Sequence, residues 1–241
     1  MSAAWLTAGW PAPAHVHVLS TTRSGGCSEG AWSSMNLGAR CGDDPARVRQ
    51  NRERLRRELP APPQWLHQVH GTAVLRHPGR AEDEPDADAL VCFSAGQVCA
   101  VLTADCLPVV FTDRVGSRAA VAHAGWRGLA GGVLQATVEA IDCDPDELIA
   151  WLGPAIGPDV YEVGAEVVAA FPDELEVGFR VRGERWLLDL YAVARQKLAV
   201  AGVTAVFGGG LCTFSDPGRF FSYRRDGVTG RMATLVWLDK P

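Results

Sequence analysis

The middle of the chain is a series of short apolar segments, each bounded by Gly, Pro or charged residues. Runs of about four to eight apolar and β-branched residues between turn formers are typical of β-strands. On this basis we predict strands at residues 15–20, 65–70, 89–93, 98–103, 109–112, 119–123, 147–151, 186–190, 203–207 and 232–238. A β-sheet is therefore the expected core of the fold.

Four other segments have the composition and the end signals of helices. The clearest follows Asp43-Asp44-Pro45, an acidic cap with proline in the first turn. We predict helices at 45–59, 129–141, 162–171 and 191–201. No linker or internal repeat divides the chain, so we expect one α+β domain over residues 1–241, with a mixed β-sheet core flanked by helices.

Composition and charge argue against several classes of protein. A net charge of -5 lacks the basic excess expected of a nucleic-acid-binding domain. The uncharged run at 89–104 is too short to span a membrane, and the uncharged N-terminus lacks the basic start of a signal peptide. The seven cysteines include no Cys-x-x-Cys pair, so a reducing cytoplasm is the expected location. The oligomeric state is left open.

Three separated residues, His70, Cys106 and His123, are predicted to hold one metal ion. Each falls at the C-terminal end of a predicted strand, and such ends can converge while lying far apart in sequence. Two imidazoles and a thiolate suit zinc, and three protein ligands leave a position open for water or substrate, as in catalytic zinc sites. Taken singly, the cysteine is as well explained as a small core residue and each histidine as a hydrogen-bonded group.

Two neighbours of these residues need separate interpretation. Asp105 precedes the cysteine, and it would orient a ligand histidine, act as a general base beside the metal, or simply cap a turn. His67 lies three residues before His70 on a predicted strand, so its side chain is expected on the opposite face. We predict that His67 is not a ligand.

Four arginines, Arg23, Arg127, Arg224 and Arg225, are candidates for binding an anion. Arg127 opens a predicted helix whose free backbone N–H groups favour anions, and a guanidinium adds bidentate geometry for phosphate. Arg23 leads a glycine-rich loop whose backbone amides can approach a ligand closely. Tyr223 would stack on a base or merely pack. Each arginine alone is equally well explained as a solvated surface residue.

A series of short motifs matches a known family in order along nearly the whole chain. The motifs lie at residues 21–28, 36–38, 42–44, 51–52, 68–71, 87–90, 103–108, 123–128, 153–157, 161–164, 212–213, 222–225 and 229–231. Through them the chain resembles the bacterial YfiH/YlmD family, which also includes the human laccase-domain protein. That family was once labelled polyphenol oxidase or laccase and is now described as purine nucleoside phosphorylase.

The resemblance implies a YfiH-like fold, related to the CNF-type α/β sandwich, and a zinc-dependent enzyme. Carried over motif by motif, the zinc ligands of the family fall on His70, Cys106 and His123. The implied reaction is phosphorolysis of adenosine, guanosine, inosine and methylthioadenosine to free base and ribose-1-phosphate, with deamination of adenosine as a further activity. The implied partners are purine nucleosides and phosphate.

Within that reaction the expected roles can be assigned to the residues discussed above. Asp105, Cys106 and Arg127 are the expected catalytic residues. Arg23, Arg127, Tyr223 and Arg224 are the expected substrate-binding and phosphate-binding residues.

Three other functions compete with this one. A copper-dependent polyphenol oxidase would need several coppers and a histidine cluster, and the chain has six histidines in all. A cysteine hydrolase would use Cys106 as nucleophile and His123 as base, and the resemblance extends this to a role in peptidoglycan quality control. A non-enzymatic module would bind a purine nucleoside without releasing the base. Zinc is expected in preference to copper.

Overall fold

The computed structural model describes residues 5–78 and 83–240, and within these ranges it contains short helices and many strands. The strands are β1 (Leu6–Thr7), β2 (Val16–Ser20), β3 (Pro63–Gln64), β4 (Val74–Arg76), β5 (Ala89–Cys92), β6 (Val98–Thr103), β7 (Leu107–Asp113), β8 (Ala119–Ala124), β9 (Leu148–Leu152), β10 (Glu162–Val163), β11 (Phe179–Arg182), β12 (Arg185–Leu188), β13 (Ala205–Gly208) and β14 (Met232–Leu238). The helices are α1 (Pro45–Arg56), α2 (Trp126–Gly131), α3 (Val133–Ile141), α4 (Ala165–Val168), α5 (Leu175–Gly178), α6 (Leu190–Val200) and α7 (Tyr223–Asp226).

The strands form three sheets in the described ranges, and two of the sheets are mixed. The largest has the order β13-β9-β7-β8-β5-β4, with parallel pairs at both edges. The second has the order β1-β2-β14-β6-β3, and the third is the antiparallel sheet β10-β12-β11. The predicted class, a single domain with mixed sheets and flanking helices, is confirmed. The division into three sheets was not predicted.

The core consists of layers on both faces of the six-stranded sheet. One face packs on the five-stranded sheet through residues that include Leu90, Val101 and Val121. The other face is covered by α3 and α6, with Leu134 and Leu198 fully buried. Every residue of β7 and β8 is buried, which explains why these strands are mostly apolar instead of alternating between apolar and polar residues.

Several predicted elements are present with small shifts in their ends. Helix α1 begins as expected, with the Asp44 side chain accepting a hydrogen bond from the Ala46 amide at 2.8 Å. The predicted helix 129–141 is divided at Gly132, whose φ of 97° lies in the left-handed region. The predicted helix 162–171 was wrong at its start, because Glu162 and Val163 pair with β12 and only α4 follows.

The prediction of a strand at 65–70 was also wrong. Only Pro63–Gln64 forms a strand here, and beyond it a single bridge links His67 to Asp86. The amides of residues 69–71 donate to a carboxylate instead of to a neighbouring strand. No helix among the described residues is long and apolar enough to cross a membrane.

Candidate metal centre

The three predicted ligands lie together beside one end of the six-stranded sheet. Their ligand atoms are all within 4.8 Å of one another, with His70 Nε2 at 3.9 Å from Cys106 Sγ. His123 belongs to β8, Cys106 lies in the turn between β6 and β7, and His70 lies in the loop after β3. Only His123 is therefore held by a strand, in contrast to the expectation that all three would be.

The donor set fits a zinc ion. A tetrahedral zinc ion with bonds of about 2.3 Å to sulfur and about 2.0 Å to nitrogen would hold those two atoms about 3.5 Å apart, near the 3.9 Å found here. Gly125 closes the site from one side: a Cβ on this residue would lie 2.9 Å from Cys106 Sγ and 3.1 Å from the His70 ring. A glycine is therefore required for the backbone to approach the ligands this closely.

A buried carboxylate, Asp88, holds two of the ligands at once. Its Oδ1 lies 2.8 Å from His123 Nδ1, which leaves the other ring nitrogen for a metal. The same carboxylate accepts hydrogen bonds from the amides of Val69, His70 and Gly71 at 3.2, 3.0 and 2.7 Å. These bonds stabilise the unusual backbone of His70, whose φ is 59°. Asp88 is thus the orienting residue for both histidines.

The corresponding turn at the cysteine is held by Asp105. This residue has a φ of 94°, and its carboxylate accepts hydrogen bonds from the Thr213 hydroxyl at 2.6 Å and the Arg224 amide at 2.7 Å. Its carbonyl accepts from the Ile156 amide at 2.9 Å. Of the roles predicted for Asp105, the orienting contact to the His123 ring belongs to Asp88 instead. Asp105 anchors the turn that presents Cys106.

Electrostatics favour a thiolate beside an imidazolium in the absence of metal. Burial opposes ionisation of the Cys106 thiol, but the charge of His123 and hydrogen bonds from both histidines outweigh it and lower the pKa to about 6. Burial likewise disfavours the charged form of His123, yet the Cys106 thiolate and Asp88 raise its pKa to about 9. Hydrogen bonds from His123 and Gly71 overcome burial at Asp88 and lower its pKa. The negative charges of the Cys106 thiolate and the Asp88 carboxylate therefore favour a cation at this site.

The ligands line an open cleft of about 460 Å³. Arg40, Glu84, Arg231 and Tyr223 also line it, and Tyr223 is 60% exposed. A volume of this size falls in the usual range for small-molecule sites. Tyr223 therefore lies where an aromatic ligand can contact it, as its predicted role requires.

His67 lines the same cleft without joining the metal-ligand group. Its Nδ1 lies 2.6 Å from Asp86 Oδ1, and both side chains are exposed. Within the described ranges, the His, Cys, Asp and Glu donors that come close enough together to hold a metal ion are those of His70, Cys106 and His123. That His67 is not a ligand stays a prediction. The reason given for that prediction does not hold, since the segment is not a strand.

The predicted anion-binding arginines separate into two groups. Arg127 and Arg224 line a second cavity, of about 330 Å³, with the ring of Tyr161 under the Arg224 guanidinium at 4.9 Å. Arg23 lines neither cavity: it donates to the carbonyls of Ser33 and Pro217, and burial lowers its pKa.

Arg225 also serves the local structure. Its guanidinium donates to the carbonyls of Thr213, Phe214 and Phe220 and pairs with Asp226 at 2.7 Å. These bonds hold the segment that carries Thr213, the residue that donates to Asp105. Arg225 therefore supports the cysteine turn indirectly, through Thr213, and is not free to bind a ligand.

Sequence reasoning did not select Asp88 as a functional residue. It stands between Ala87 and Ala89 at the start of a buried strand, and its side chain is fully buried. An aspartate in an apolar strand is a signal, since buried carboxylates are rare unless hydrogen-bonded or paired. That signal indicates a partner without saying which one.

Comparisons with known proteins identify the family of this chain. A family model described as multi-copper polyphenol oxidoreductase laccase matches residues 17–239. A Pseudomonas aeruginosa protein named purine nucleoside phosphorylase PA4543 is 52% identical, over 98% of this chain and 99% of the relative. Purine nucleoside phosphorylase YfiH of Escherichia coli is 50% identical, over 95% of this chain and 96% of its own.

Solved structures show the same fold. A Neisseria meningitidis protein, NMB0706, superposes with a TM-score of 0.95 at 51% identity, over 98% of this chain and 99% of the other. YlmD from Geobacillus stearothermophilus superposes with a TM-score of 0.92 at 32% identity, over 100% and 98% of the two chains. The chain therefore belongs to the laccase-like multi-copper polyphenol oxidoreductase family, whose members similar to it include YfiH and YlmD.

Proposed function

We propose that this protein is a zinc-dependent purine nucleoside phosphorylase. The observation that carries the proposal is the His70–Cys106–His123 group in the wall of an open cleft. The proposal is further supported by the identity of 50% or more between this chain and two relatives named purine nucleoside phosphorylase. The substrates are adenosine, guanosine, inosine and methylthioadenosine, and the products are the free base and ribose-1-phosphate. Deamination of adenosine is a second activity of the same site.

Each side chain has a role in this proposal. His70, Cys106 and His123 hold the metal, which when bound supplies Lewis-acid chemistry to an oxygen or nitrogen of the substrate. Cys106 contributes its thiolate, and Asp105 keeps the Cys106 turn in place.

The substrates are bound by residues of both cavities. Tyr223, at the mouth of the cleft, stacks on the purine. Arg127 and Arg224 bind phosphate in the second cavity. Arg23 is left out, because its Nε and Nη1 donate to backbone carbonyls and it lines neither cavity.

The residue range and the location follow the same proposal. We take residues 1–241 as one catalytic domain and place it in the cytoplasm, where the seven free cysteines would stay reduced. Zinc is preferred to copper because one group of three ligands does not supply the several coppers of a laccase. The six histidines all lie in the described ranges, and four of them are outside the group. Metal analysis of protein purified without added metal tests this preference.

The decisive assay follows adenosine with and without inorganic phosphate. Phosphorolysis gives adenine and ribose-1-phosphate only when phosphate is present, whereas deamination gives inosine in either case. For Tyr223→Ala, which removes the stacking ring, we expect a several-fold higher KM for the nucleoside. Tyr223→Phe is the matched control, because it keeps the ring and is expected to retain activity. Binding of adenosine without release of adenine or inosine would contradict the proposal.

A cysteine hydrolase is the second candidate, because one observation favours it. Cys106, His123 and Asp88 stand in the order of nucleophile, base and orienting acid, and the Cys106 thiol has a pKa of about 6. Such an enzyme would keep its activity in the presence of chelators and lose it on thiol alkylation. The zinc proposal makes the first of these outcomes impossible. The ring of His70 beside the thiolate, a third ligand with no place in a triad, supports the metal.

A further inference from the structure

Three arginines, not two, surround the second cavity. Arg127 lies in the first turn of α2, Arg224 lies in α7, and Arg185 begins β12. Trp186 pairs with Val163 across the small sheet, so Arg185 is placed opposite the residue that follows β10. No ion pair joins any of these three guanidinium groups to a carboxylate in the parts of the chain that the structure describes; Arg224 donates to the carbonyl of Glu162, and Arg127 stacks on Trp126.

The charge balance of the cavity is positive. Two carboxylates, of Glu162 and Glu166, line it together with the three arginines. The excess is therefore one positive charge if all five groups are ionised. Oppositely charged groups that share a cavity without pairing leave the guanidinium donors available to an anion, and guanidinium matches phosphate in bidentate geometry.

A tyrosine hydroxyl in the same cavity adds a further donor. Tyr161 lines the cavity and is 9% exposed, and its phenol group makes no hydrogen bond with any residue of 5–78 or 83–240. Burial raises its pKa, as does the charge of Cys106, while Arg224 and Arg127 act in the opposite direction. The phenol therefore stays protonated and remains a donor. This O–H is therefore available, beside the guanidinium groups, to donate to an oxygen of a bound anion.

The cavity adjoins the metal centre. Gly125 touches Cys106 on one side and leads directly into Trp126 and Arg127 on the other. An anion held here is next to the reaction centre without occupying the nucleoside cleft.

We propose that this second cavity is the phosphate subsite, in which Arg185 and Tyr161 complete the set begun by Arg127 and Arg224. The proposal rests on the proposed function, because phosphate is a substrate only of a phosphorylase. Inorganic phosphate and the phosphate group of ribose-1-phosphate share the chemistry that the cavity recognises. Arg185 is the specific addition, since it belongs to none of the sequence motifs that mark the site.

The test compares two arginines of one hairpin. Arg185→Ala removes a donor from the cavity, and Arg180→Ala removes an exposed arginine of β11 that pairs with Asp159 outside it. Titration calorimetry of the metal-loaded protein with inorganic phosphate, and separately with ribose-1-phosphate, gives the affinities. We expect Arg185→Ala to weaken both by about tenfold or more, the effect of losing a charge-assisted hydrogen bond. Arg180→Ala leaves both unchanged, and Tyr161→Phe has a smaller effect than Arg185→Ala.

Steady-state kinetics provide the second measurement. In Arg185→Ala the KM for phosphate should rise about tenfold while the KM for the nucleoside stays within about twofold. Equal phosphate affinities in Arg185→Ala and wild type, or no phosphate binding by wild type, would overturn the subsite. The failure of the proposed function has a different signature: phosphate binds and Arg185→Ala weakens it, yet no purine nucleoside loses its base.

Discussion

Two histidine–aspartate pairs lie close together in this molecule, with nearly equal contact distances and very different surroundings. His123 Nδ1 is 2.8 Å from Asp88, and the two side chains are 3% and 0% exposed. His67 Nδ1 is 2.6 Å from Asp86, and those side chains are 41% and 72% exposed. The two aspartates are separated by a single residue, and His67 even lines the same cleft as His123.

The contrast shows that contact distance alone does not mark a ligand. The exposed pair exchanges its contacts with water and is worth little free energy. The buried carboxylate is different because it also accepts three backbone amides from the loop of the other ligand. A residue that fixes one ring and one backbone at once sets the relative position of two ligands.

The largest effect is expected from removing Cys106, the thiolate that lies beside both histidines of the metal centre. Cys106→Ala should abolish metal retention and phosphorolysis, because two imidazoles alone do not hold zinc in a three-ligand site. Metal content after dialysis and release of adenine are the measurements. Cys143→Ala, a thiol outside the cleft, is the matched control and should behave as wild type. A Cys106→Ala protein with full activity would exclude the zinc mechanism.

A pH titration of the metal-free protein measures the charge of the buried pair. The pKa of Cys106 is lowered to about 6, so the thiolate should persist as the pH falls from 9 and disappear only as it passes through about 6. At pH 7 the thiolate fraction should be about thirtyfold larger than that of an ordinary thiol. The titration curve is the difference in ultraviolet thiolate absorbance between wild type and Cys106→Ala, measured as a function of pH. A midpoint above pH 8 would mean that His123 does not carry the expected positive charge.

Matched substitutions of the two aspartates sharpen the contrast directly. In Asp88→Asn one carboxylate oxygen becomes an NH₂ group facing N–H donors, so either the ring or the loop loses its partner. Metal affinity should fall about 10-fold to 100-fold. Asp86→Asn makes the same chemical change at the exposed pair and should leave affinity unchanged. Competition with a chromophoric chelator and the visible spectrum of the cobalt-loaded proteins measure both, and equal affinities for the two variants would contradict this prediction.

The smallest effect is expected at the histidine of the exposed pair. His67→Gln should keep the full metal content and activity within about twofold, since surface pairs of this kind contribute little. Metal content and kinetics with adenosine are the readouts. Loss of one equivalent of metal from His67→Gln would show that this histidine joins the ligands in solution.

Part of the fold and of the site could be predicted from local sequence. The strands 98–103 and 232–238 and the start of α1 are present as predicted, because apolar runs and a capping aspartate act locally. The three donors were also selected, through motifs in which their residue types recur in a fixed context. Their shared position at strand ends was an incorrect reason, since His70 lies in a loop with a left-handed backbone.

The rest depended on contacts between distant segments. Asp88 bonds amides that precede it by 17 to 19 residues and a ring 35 residues later, and no local pattern reports such partners. Arg185 enters the second cavity at the start of β12, and the partner of that strand, β10, replaced the start of a predicted helix. The motif of Arg23 predicts a ligand-binding residue, yet its Nε and Nη1 donate to the carbonyls of Ser33 and Pro217.

By itself, the sequence determined the chemistry available to this protein: two imidazoles, a thiolate and arginines in recognisable motifs, on a framework of short buried strands. Residue type and local propensity are properties of neighbouring residues along the chain, so they can be read there. Only the tertiary structure decided which aspartate orients the ligands, which histidine stays outside and which arginines face a common cavity. Those outcomes follow from burial and from hydrogen bonds between remote segments, and they exist only once the sheets have packed.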